Sequence, residues 1–315
     1  MRILVTGAGG FIGSNLVDVF LEAGHHVVAV DRAFDPDLRD EWLGQGGERV
    51  ALVEGAADGL PPVAVDAAIH AAALTADPQD AGCTVEVHFR ANIEPLLAVL
   101  EWANERNVSR VVALSSSAVY RATPPGPVDE TQPPSPLGSY AVAKQAAENL
   151  IETLHTQYGR DVAVVRLSSV YGPRERARAT RPRVSLVARL IEDALNTGEM
   201  SVYEGEPARD WTYAPDIGWA ILALLEAPAC RHHLYHVASE QALAPLDIAR
   251  AIAARLPDVR IEVRSGENPA APPLTRRGYL CSERFRQEFG FDEWTPLAHG
   301  IRATIDWQRS REATP

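Results

Sequence analysis

Residues 2–13 read RILVTGAGGFIG, and this stretch decides the fold. Residues 2–6 form a short apolar run typical of a buried strand, and residues 14–23 continue as a helical pattern. The turn between them contains three glycines at intervals of three, Gly7, Gly10 and Gly13. Such glycines permit a tight turn, let backbone N–H groups approach a pyrophosphate and allow the helix to pack on the strand. The stretch therefore predicts the first strand, turn and helix of a dinucleotide-binding unit.

A second apolar stretch, residues 26–30, ends in Asp31, eighteen residues beyond Gly13. This is close to the spacing expected for a carboxylate that accepts hydrogen bonds from an adenosine ribose. A carboxylate there would repel a 2′-phosphate, so NAD is predicted as the cofactor in preference to NADP. Arg32 argues in the other direction, because a guanidinium at this point could accommodate that phosphate.

A serine cluster, Ser115, Ser116 and Ser117, ends another apolar run and is followed downstream by Tyr140-Ala-Val-Ala-Lys144. A tyrosine and a lysine four residues apart lie on one helical face, where the ammonium can favour the phenolate of its neighbour. Taken singly, such features are more often turn chemistry or a solvated face. Their order behind a dinucleotide fingerprint favours catalysis, with the tyrosine as acid or base.

Composition is that of an ordinary globular protein of 315 residues. A net charge of −12 argues against a nucleic-acid partner, because neutralising phosphates requires a basic surface. We expect no membrane span, because the apolar stretches are short. We also expect no cleaved leader, because the first strand runs directly into the glycine turn, and hence a cytoplasmic location. Three cysteines, Cys83, Cys230 and Cys281, lack paired spacing, so inert thiols and no metal site are expected.

The predicted fold class is α/β, a doubly wound parallel sheet of the Rossmann type with a smaller, interleaved C-terminal substrate-binding lobe. Strands are predicted at 2–6, 26–31, 50–53, 65–70, 110–115 and 162–167, and helices near 12–23, 83–105, 138–158, 185–196 and 296–310. We assign residues 1–168 to the dinucleotide-binding domain. Residues 169–315 are assigned mainly to the lobe, because their pattern does not repeat the strand and helix alternation.

The chain resembles the extended short-chain dehydrogenase/reductases, also called NAD-dependent epimerase/dehydratases. The motifs that carry the resemblance extend over nearly the whole chain: TGAGGFIG at 6–13, Asp31, VDAAIHAAA at 65–73, Asn92, LSSSAVY at 114–120, YAVAK at 140–144, RLSSVYGPR at 166–174, RDWTY at 209–213 and GIRATIDW at 300–307.

The resemblance implies three catalytic residues. Ser116 matches the hydroxyl that orients the substrate oxygen, although Ser115 or Ser117 could substitute for it. Tyr140 matches the acid/base that exchanges a proton with a sugar hydroxyl, while C4 of the nicotinamide exchanges a hydride with the same carbon. Lys144 matches the partner that also binds the nicotinamide ribose.

Further positions are assigned to ligands by fingerprint and resemblance. The cofactor set is Gly7, Gly10, Phe11, Ile12, Gly13, Asp31, Arg32, Asp58, Ala71, Ala72, Ala73, Asn92, Tyr140 and Lys144. The substrate set is Ser117, Ser169, Arg174, Arg209 and Arg276. Either Asp58 replaces, at a shifted position, an aspartate that relatives use for adenine, or adenine is held differently. Asn92 either lies near the active site or braces a helix. The basic run that begins at Arg174 and the match of Arg209 to a diphosphate contact imply an anionic sugar substrate.

Dehydration is disfavoured, because the acid pair that family dehydratases place after the catalytic hydroxyl is replaced here by Ser117-Ala118. We expect a nucleotide-sugar epimerase, with an NAD-dependent dehydrogenase of an unactivated sugar or sugar acid as the alternative. A non-catalytic NAD sensor is disfavoured, because a sensor needs no proton donor. Many relatives dimerise through two helices, here 83–105 and 138–158. The alanines of the second helix would permit a homodimer or would simply pack on the sheet.

Overall fold

The computed structural model of this chain describes residues 1–56, 59–123, 125–266, 268 and 278–312. In these residues the strands are β1 (Arg2–Thr6), β2 (His26–Asp31), β3 (Val50–Glu54), β4 (Ala67–His70), β5 (Arg110–Ser116), β6 (Pro127–Val128), β7 (Val162–Leu167), β8 (Ser169–Tyr171), β9 (Glu199–Tyr203), β10 (Arg209–Tyr213), β11 (Leu234–Val237), β12 (Ala242–Leu243), β13 (Arg260–Arg264) and β14 (Tyr279–Leu280). The helices are α1 (Phe11–Glu22), α2 (Pro36–Gly46), α3 (Val85–Glu105), α4 (Ser139–Tyr158), α5 (Leu186–Thr197), α6 (Ala214–Glu226), α7 (Pro245–Ala253), α8 (Glu283–Phe289) and α9 (Leu297–Glu312).

The main sheet has seven parallel strands in the order β11-β7-β5-β4-β1-β2-β3. Successive residues of a strand face opposite sides of a sheet. Accordingly Ile3 and Val5 belong to the apolar layer that includes α1 and α6, whereas Leu4 belongs to the layer that includes α3 and α4. Burial on both faces explains why these strands are continuously apolar. The predicted doubly wound Rossmann sheet is confirmed.

The seventh strand comes from the second half of the chain, which the sequence analysis had assigned mainly to the lobe. Strand β11 pairs in parallel with β7 at the edge of the sheet. The preceding helix α6 packs on α1, and a Cβ on Gly218 would lie 2.7 Å from Cγ2 of Val19. Residues 214–237 therefore return to the sheet domain. Strand β11 is only four residues long, so its own pattern gives little indication of where it pairs.

Most of the remaining elements after β7 build a second lobe with its own apolar core. The exceptions are α8, which packs on β11 in the sheet domain, and β14, which pairs with β6. Its sheets are three-stranded, in the order β12-β10-β8, and two-stranded, β13-β9. Buried residues of α5, α7 and α9, among them Leu190, Ile248 and Ile301, pack together with these strands. Because β8 follows β7 directly, the lobe adjoins the carboxyl ends of the main strands, where doubly wound folds bind ligands.

Helix bounds agree closely with the patterns in the sequence. Helix α5 begins after Ser185, whose hydroxyl caps the helix by accepting a hydrogen bond from the backbone N–H of Ala188. The proline-rich stretch after residue 124 contributes the short strand β6, which pairs with β14. No helix in the described part of the chain is long and apolar enough to cross a bilayer.

Candidate active site

A cavity of about 1440 Å³ opens between the carboxyl ends of the main strands and the second lobe. The glycine turn after β1 lines one end. The carboxyl end of β5 and the start of α4 line the middle, where Ser116, Tyr140 and Lys144 lie. The sheets of the lobe line the far end. One continuous space therefore joins residues from the predicted cofactor, catalytic and substrate sets.

The glycine turn requires residues without side chains. Gly7 has a φ of +72°, and a Cβ there would lie 2.5 Å from the backbone N and Cα of Ala72. A Cβ on Gly13 would lie 2.1 Å from the carbonyl oxygen of Gly7. No described side chain caps α1, so the amides of its first turn are free to bind an anion. Other predicted cofactor residues that line this end are Gly10, Phe11, Ile12, Ala71, Ala72 and Ala73.

Asp31 is held at the end of β2 by two backbone donors. Its Oδ2 accepts a hydrogen bond from Gly9 N at 2.9 Å, and its Oδ1 accepts one from Arg32 N at 2.7 Å. Both Asp31 and Arg32 line the cavity. A carboxylate oriented in this way suits ribose hydroxyls and opposes a phosphate. The glycine turn and Asp31 together fit a dinucleotide; Asp58 lies outside the described residues.

Helix α4 meets the end of β5 through residues spaced by four. The Ser116 hydroxyl forms a hydrogen bond with Tyr140. Lys144 is buried, and its Nζ donates to the carbonyl oxygen of Leu114 at 2.7 Å. Nζ lies 5.7 Å from the centroid of the Tyr140 ring. The structure thus brings the three predicted catalytic side chains together.

The neighbouring serines have different surroundings. Ser115 is buried, and its hydroxyl donates to Oε1 of Glu148 at 2.6 Å, one helical turn beyond Lys144. Ser117 lines the cavity. The Ser116 hydroxyl thus bonds to Tyr140, whereas the Ser115 hydroxyl bonds to Glu148.

Burial changes the acidity of both helix residues. It raises the pKa of Tyr140, while the hydrogen bond from Ser116 and the charge of Arg181 lower it. It lowers the pKa of Lys144 to about 8, against the attraction of Glu148. The spacing of four predicts that Lys144 favours the phenolate, but the groups that lower the pKa of Tyr140 are Ser116 and Arg181.

Residues 175–185, which we call the strap, cross the cavity. Arg176 forms an ion pair with Asp35 at 2.5 Å, on the cofactor side. The carbonyl oxygen of Thr180 accepts hydrogen bonds from the backbone amides of Thr75 and Ala76, at 3.0 and 3.1 Å. Four arginines of the strap line the cavity: Arg176, Arg178, Arg181 and Arg183.

Buried Glu175 fixes both ends of the strap. Its Oε1 accepts from Ser185 N at 2.7 Å and from Arg181 Nη2 at 2.6 Å, and its Oε2 accepts from Ser185 Oγ at 2.6 Å. The guanidinium carbon of Arg181 lies 5.3 Å from the centroid of the Phe11 ring. The Nε of Arg181 is buried and has no partner among the described residues. Arg181 thus has a free donor, and its charge acts on Tyr140.

Arg174, the member of the basic run that was assigned to substrate, does not reach the cavity. Its guanidinium pairs with Asp18 at 2.5 Å and Glu41 at 2.6 Å, on the outer side of α1 and α2. The basic run indicated the correct segment, but its cavity-lining members come after Arg174. Nothing in the local sequence separates them, because the ion partners of Arg174 are more than a hundred residues away.

Asn92, assigned to the cofactor, is buried and braces the chain beyond β4. Its Oδ1 accepts from Leu74 N at 2.9 Å, and its Nδ2 donates to the carbonyl oxygens of Leu74 and His88 at 3.1 and 3.0 Å. It is absent from the described cavity lining. Of the two roles considered for Asn92, bracing is the one that its contacts support.

The far end of the cavity holds two predicted substrate residues, Ser169 and Arg209. Burial lowers the pKa of Arg209, while the charge of Glu206 raises it. The sequence analysis missed other lining residues of the lobe: Arg189, Tyr203, Glu206, Trp211, Leu243 and Arg264. They come from separate elements, and only Trp211 lies within a recognised motif. Arg276 lies outside the described residues.

The described residues contain no group of three or more His, Cys, Asp or Glu side chains placed to hold a metal ion. The three cysteines are free thiols. Cys230 is buried, and burial raises the pKa of its thiol to about 12.

The model of the NAD-dependent epimerase/dehydratase family matches residues 3–238 of the chain. The chain is 30% identical over 332 residues to a dTDP-glucose 4,6-dehydratase of Streptomyces niveus, with coverage of 99% of this chain and 94% of that one. It is 30% identical over 239 residues to a UDP-glucuronate 4-epimerase of Thermodesulfobacterium geofontis, with 71% of each chain covered. The solved structure of MoeE5 in complex with UDP-glucuronic acid and NAD is 27% identical, with a TM-score of 0.81 and coverage of 99% of this chain and 100% of that one.

Proposed function

The chain belongs to the NAD-dependent epimerase/dehydratase family, and from this premise we propose that it is a nucleotide-sugar epimerase. Bound NAD supplies a hydride acceptor and donor at C4 of the nicotinamide. The residues of the glycine turn and Asp31 hold the cofactor in the sheet domain, and the lobe holds the substrate.

Tyr140 carries the proton transfer in this proposal. It removes the proton from a sugar hydroxyl as the carbon beneath loses its hydride, and it returns a proton when the hydride comes back to the opposite face. Ser116, hydrogen-bonded to Tyr140, orients the same oxygen. Lys144 places its ammonium 5.7 Å from the centroid of the Tyr140 ring, where it would bind the nicotinamide ribose.

The distribution of carboxylates in the cavity favours epimerisation over dehydration. Among the described residues that line the cavity, the only acidic side chains are Asp31 at the cofactor end and Glu206 in the lobe. Neither belongs to the Ser116–Ala118 segment that adjoins Tyr140. Eliminating water requires a group that removes a carbon-bound proton and a group that protonates the leaving hydroxyl. Reversible oxidation requires only one acid/base, and Tyr140 supplies it.

The arginines at the far end support a nucleotide-linked sugar over an unactivated one. Arg189, Arg209 and Arg264 all line this part of the cavity, although they belong to three different elements. Guanidinium groups suit the oxygens of a diphosphate. Nearby Tyr203 and Trp211 offer apolar surface to a base.

Arg181 favours a second candidate within the same chemistry, a substrate whose sugar carries a carboxylate. Its unpartnered Nε lies in the strap, and its charge acts on Tyr140. A carboxylate on the sugar would provide the missing partner, because a buried donor without an acceptor is costly. Hexuronates linked to a nucleoside diphosphate therefore belong in the substrate panel beside neutral hexoses.

The experiment incubates NAD-loaded protein with UDP-, dTDP- and GDP-linked hexoses and hexuronates. Products are separated by ion-pair chromatography, and NADH is followed at 340 nm. We expect interconversion of two epimers with no accumulation of NADH, and retention of deuterium placed on the epimerised carbon. Stoichiometric NADH with a keto product would favour the dehydrogenase. A product lighter by one water would contradict the proposal.

We also propose a homodimer formed through α3 and α4. Exposed apolar side chains lie along these helices, with Val85 58%, Val87 52% and Val142 43% exposed. Of the two roles considered for the alanines of α4, packing within the chain fits Ala141, Ala143 and Ala147, which are buried, while Ala146 is half-buried. Light scattering after size-exclusion chromatography should give twice the chain mass, and Val142→Lys should give the monomer. Exposed Tyr158→Lys, at the end of α4, provides the control.

A further inference from the structure

We propose that Glu148 and Arg166 are positioning residues that set the charge of Lys144, with Glu148 holding the ammonium form and Arg166 opposing it. This deepens the role proposed above for Lys144. Neither residue lines the cavity among the described residues, so both act through Lys144 rather than on a ligand.

Lys144, Glu148 and Arg166, which we call the row, are three buried side chains whose charges alternate in this order. Lys144 is 5% exposed, Glu148 4% and Arg166 2%. Glu148 follows Lys144 by one turn on α4, and Arg166 lies on β7. The carboxylate is fully engaged: Oε1 accepts from Arg166 Nε at 2.9 Å and from Ser115 Oγ at 2.6 Å, and Oε2 accepts from Arg166 Nη2 at 2.6 Å.

Arg166 is held from its other side as well. Its Nη1 donates to the hydroxyl of Tyr120, and its guanidinium carbon lies 4.9 Å from the centroid of that ring. The Tyr120 hydroxyl lies 3.1 Å from Nε2 of His236, whose Nδ1 lies 3.1 Å from the carbonyl oxygen of Val128. The carbonyl can only accept, so Nδ1 carries the hydrogen and Nε2 accepts from Tyr120.

The charges of Glu148 and Arg166 should have opposite effects on the protonation of Lys144. With all three ionised, the row carries one net positive charge. Loss of the carboxylate would leave two buried cations, and Lys144 would release its proton because an arginine cannot. Loss of the guanidinium would leave the carboxylate facing Lys144 alone, which would hold its proton more strongly.

The other ionisable groups around the row do not change charge in the relevant range. His70 on β4 and His236 on β11 are kept neutral, since burial lowers the pKa of each to about 3. Burial raises the pKa of Tyr120 to about 12 and also raises that of Tyr140. Arg181 of the strap is a permanent cation. Lys144 is thus the group whose charge changes near neutral and mildly basic pH.

The chain offers a direct readout, because Lys144 is the only lysine among its 315 residues. Protein labelled with lysine carrying ¹³C at Cε gives one side-chain signal, and its shift against pH reports the titration of Lys144. The measurement is made on the full chain with and without NAD and needs no substrate. A failure of the proposed epimerase function would therefore leave it interpretable.

We expect Glu148→Gln to lower the midpoint of this titration by about one pH unit or more, and Arg166→Met to raise it by a similar amount. The double variant should return towards the wild-type value, and it keeps the test open if Arg166→Met alone does not fold. Glu152→Gln and Arg90→Met are the controls, since both residues are exposed. Titration midpoints that do not move, or that move in the same direction in both variants, would overturn the proposal. A lower melting temperature with unchanged midpoints would likewise overturn it and would assign the pair a structural role.

Discussion

Lys144 donates a hydrogen bond from Nζ to the carbonyl oxygen of Leu114 at 2.7 Å, which ties α4 to the strand that ends at Ser116. One turn earlier on the same helix, Tyr140 lies within hydrogen-bonding reach of the Ser116 hydroxyl. Three residues of α4 at intervals of four thus contact the end of β5. Tyr140 meets Ser116, Lys144 meets the carbonyl oxygen of Leu114, and Glu148 meets Ser115.

Replacing Tyr140 with Phe should remove turnover and leave NAD bound. The phenol oxygen is the acid/base, and loss of such a group lowers rates by about 10²- to 10⁴-fold. The ring itself stays in place, so the cofactor pocket is kept. We would compare turnover with the quenching of tryptophan fluorescence by NAD. Tyr158→Phe, at the exposed end of the same helix, is the control. Undiminished turnover in Tyr140→Phe would remove Tyr140 from the mechanism.

Asp31 should determine the choice of cofactor. Asp31→Asn removes the negative charge that opposes a 2′-phosphate, while an amide can still accept from Gly9 N. We expect the preference for NAD over NADP, measured as a ratio of dissociation constants, to fall by about tenfold or more. Asp40→Asn, on the exposed side of α2, should leave the ratio unchanged. If Arg32 already accommodates the phosphate, the wild type will bind both cofactors equally and the substitution will change little.

The strap should slow the release of NAD. Arg176 and Asp35 are each about three-quarters buried, and their ion pair holds the strap over the cofactor end. Arg176→Gln should raise the dissociation rate of NAD about fivefold, since a partly exposed pair contributes on the order of 1 kcal/mol. Stopped-flow release into excess unlabelled cofactor measures the rate. The exposed pair of Arg39 and Glu54 supplies the control, Arg39→Gln. Equal release rates would mean that the strap does not retain the cofactor.

Much of the sheet domain could be predicted because its signals are local. The glycine turn, Asp31 and the Tyr140 to Lys144 spacing each lie within one element, and the resemblance to the family is confirmed. Residues that depend on distant partners could not be predicted. Arg174 and Arg181 look alike in sequence, but ion pairs with Asp18 and Glu41 draw the first outward.

The lining residues at the far end of the cavity and the pairing of β11 could not be predicted from the sequence for the same reason. Arg189, Tyr203 and Arg264 belong to a helix and two strands that only the packing of the lobe brings together. Strand β11 is recognisable as part of the main sheet only through its pairing with β7. A pattern within one element cannot report such contacts.

Acid should destabilise the protein through His236. Burial lowers the pKa of this fully buried imidazole to about 3, against 6.5 for an ordinary histidine. The unfolded chain therefore binds the proton first, and stability falls as the pH drops from 6.5 towards 3. Between pH 6.5 and 5 the loss should be about 2 kcal/mol. His236→Gln should flatten this part of the pH dependence, measured by urea unfolding. An unchanged slope would assign the acid sensitivity to other groups, His70 first.

Arg209 should bind the substrate without taking part in the chemistry. A guanidinium that contacts a diphosphate in ground state and transition state alike affects KM and leaves kcat nearly constant. Removing such a charged hydrogen-bond donor costs about 1.5–3 kcal/mol, so Arg209→Ala should raise KM about tenfold to a hundredfold. Arg260→Ala, on the exposed side of β13, is the matched control. Nucleoside diphosphate alone should stabilise the wild type in a thermal-shift titration and should lose this effect in Arg209→Ala. A drop in kcat at constant KM would instead mean that Arg209 acts on the reacting sugar. In that case no diphosphate of the substrate would lie at Arg209.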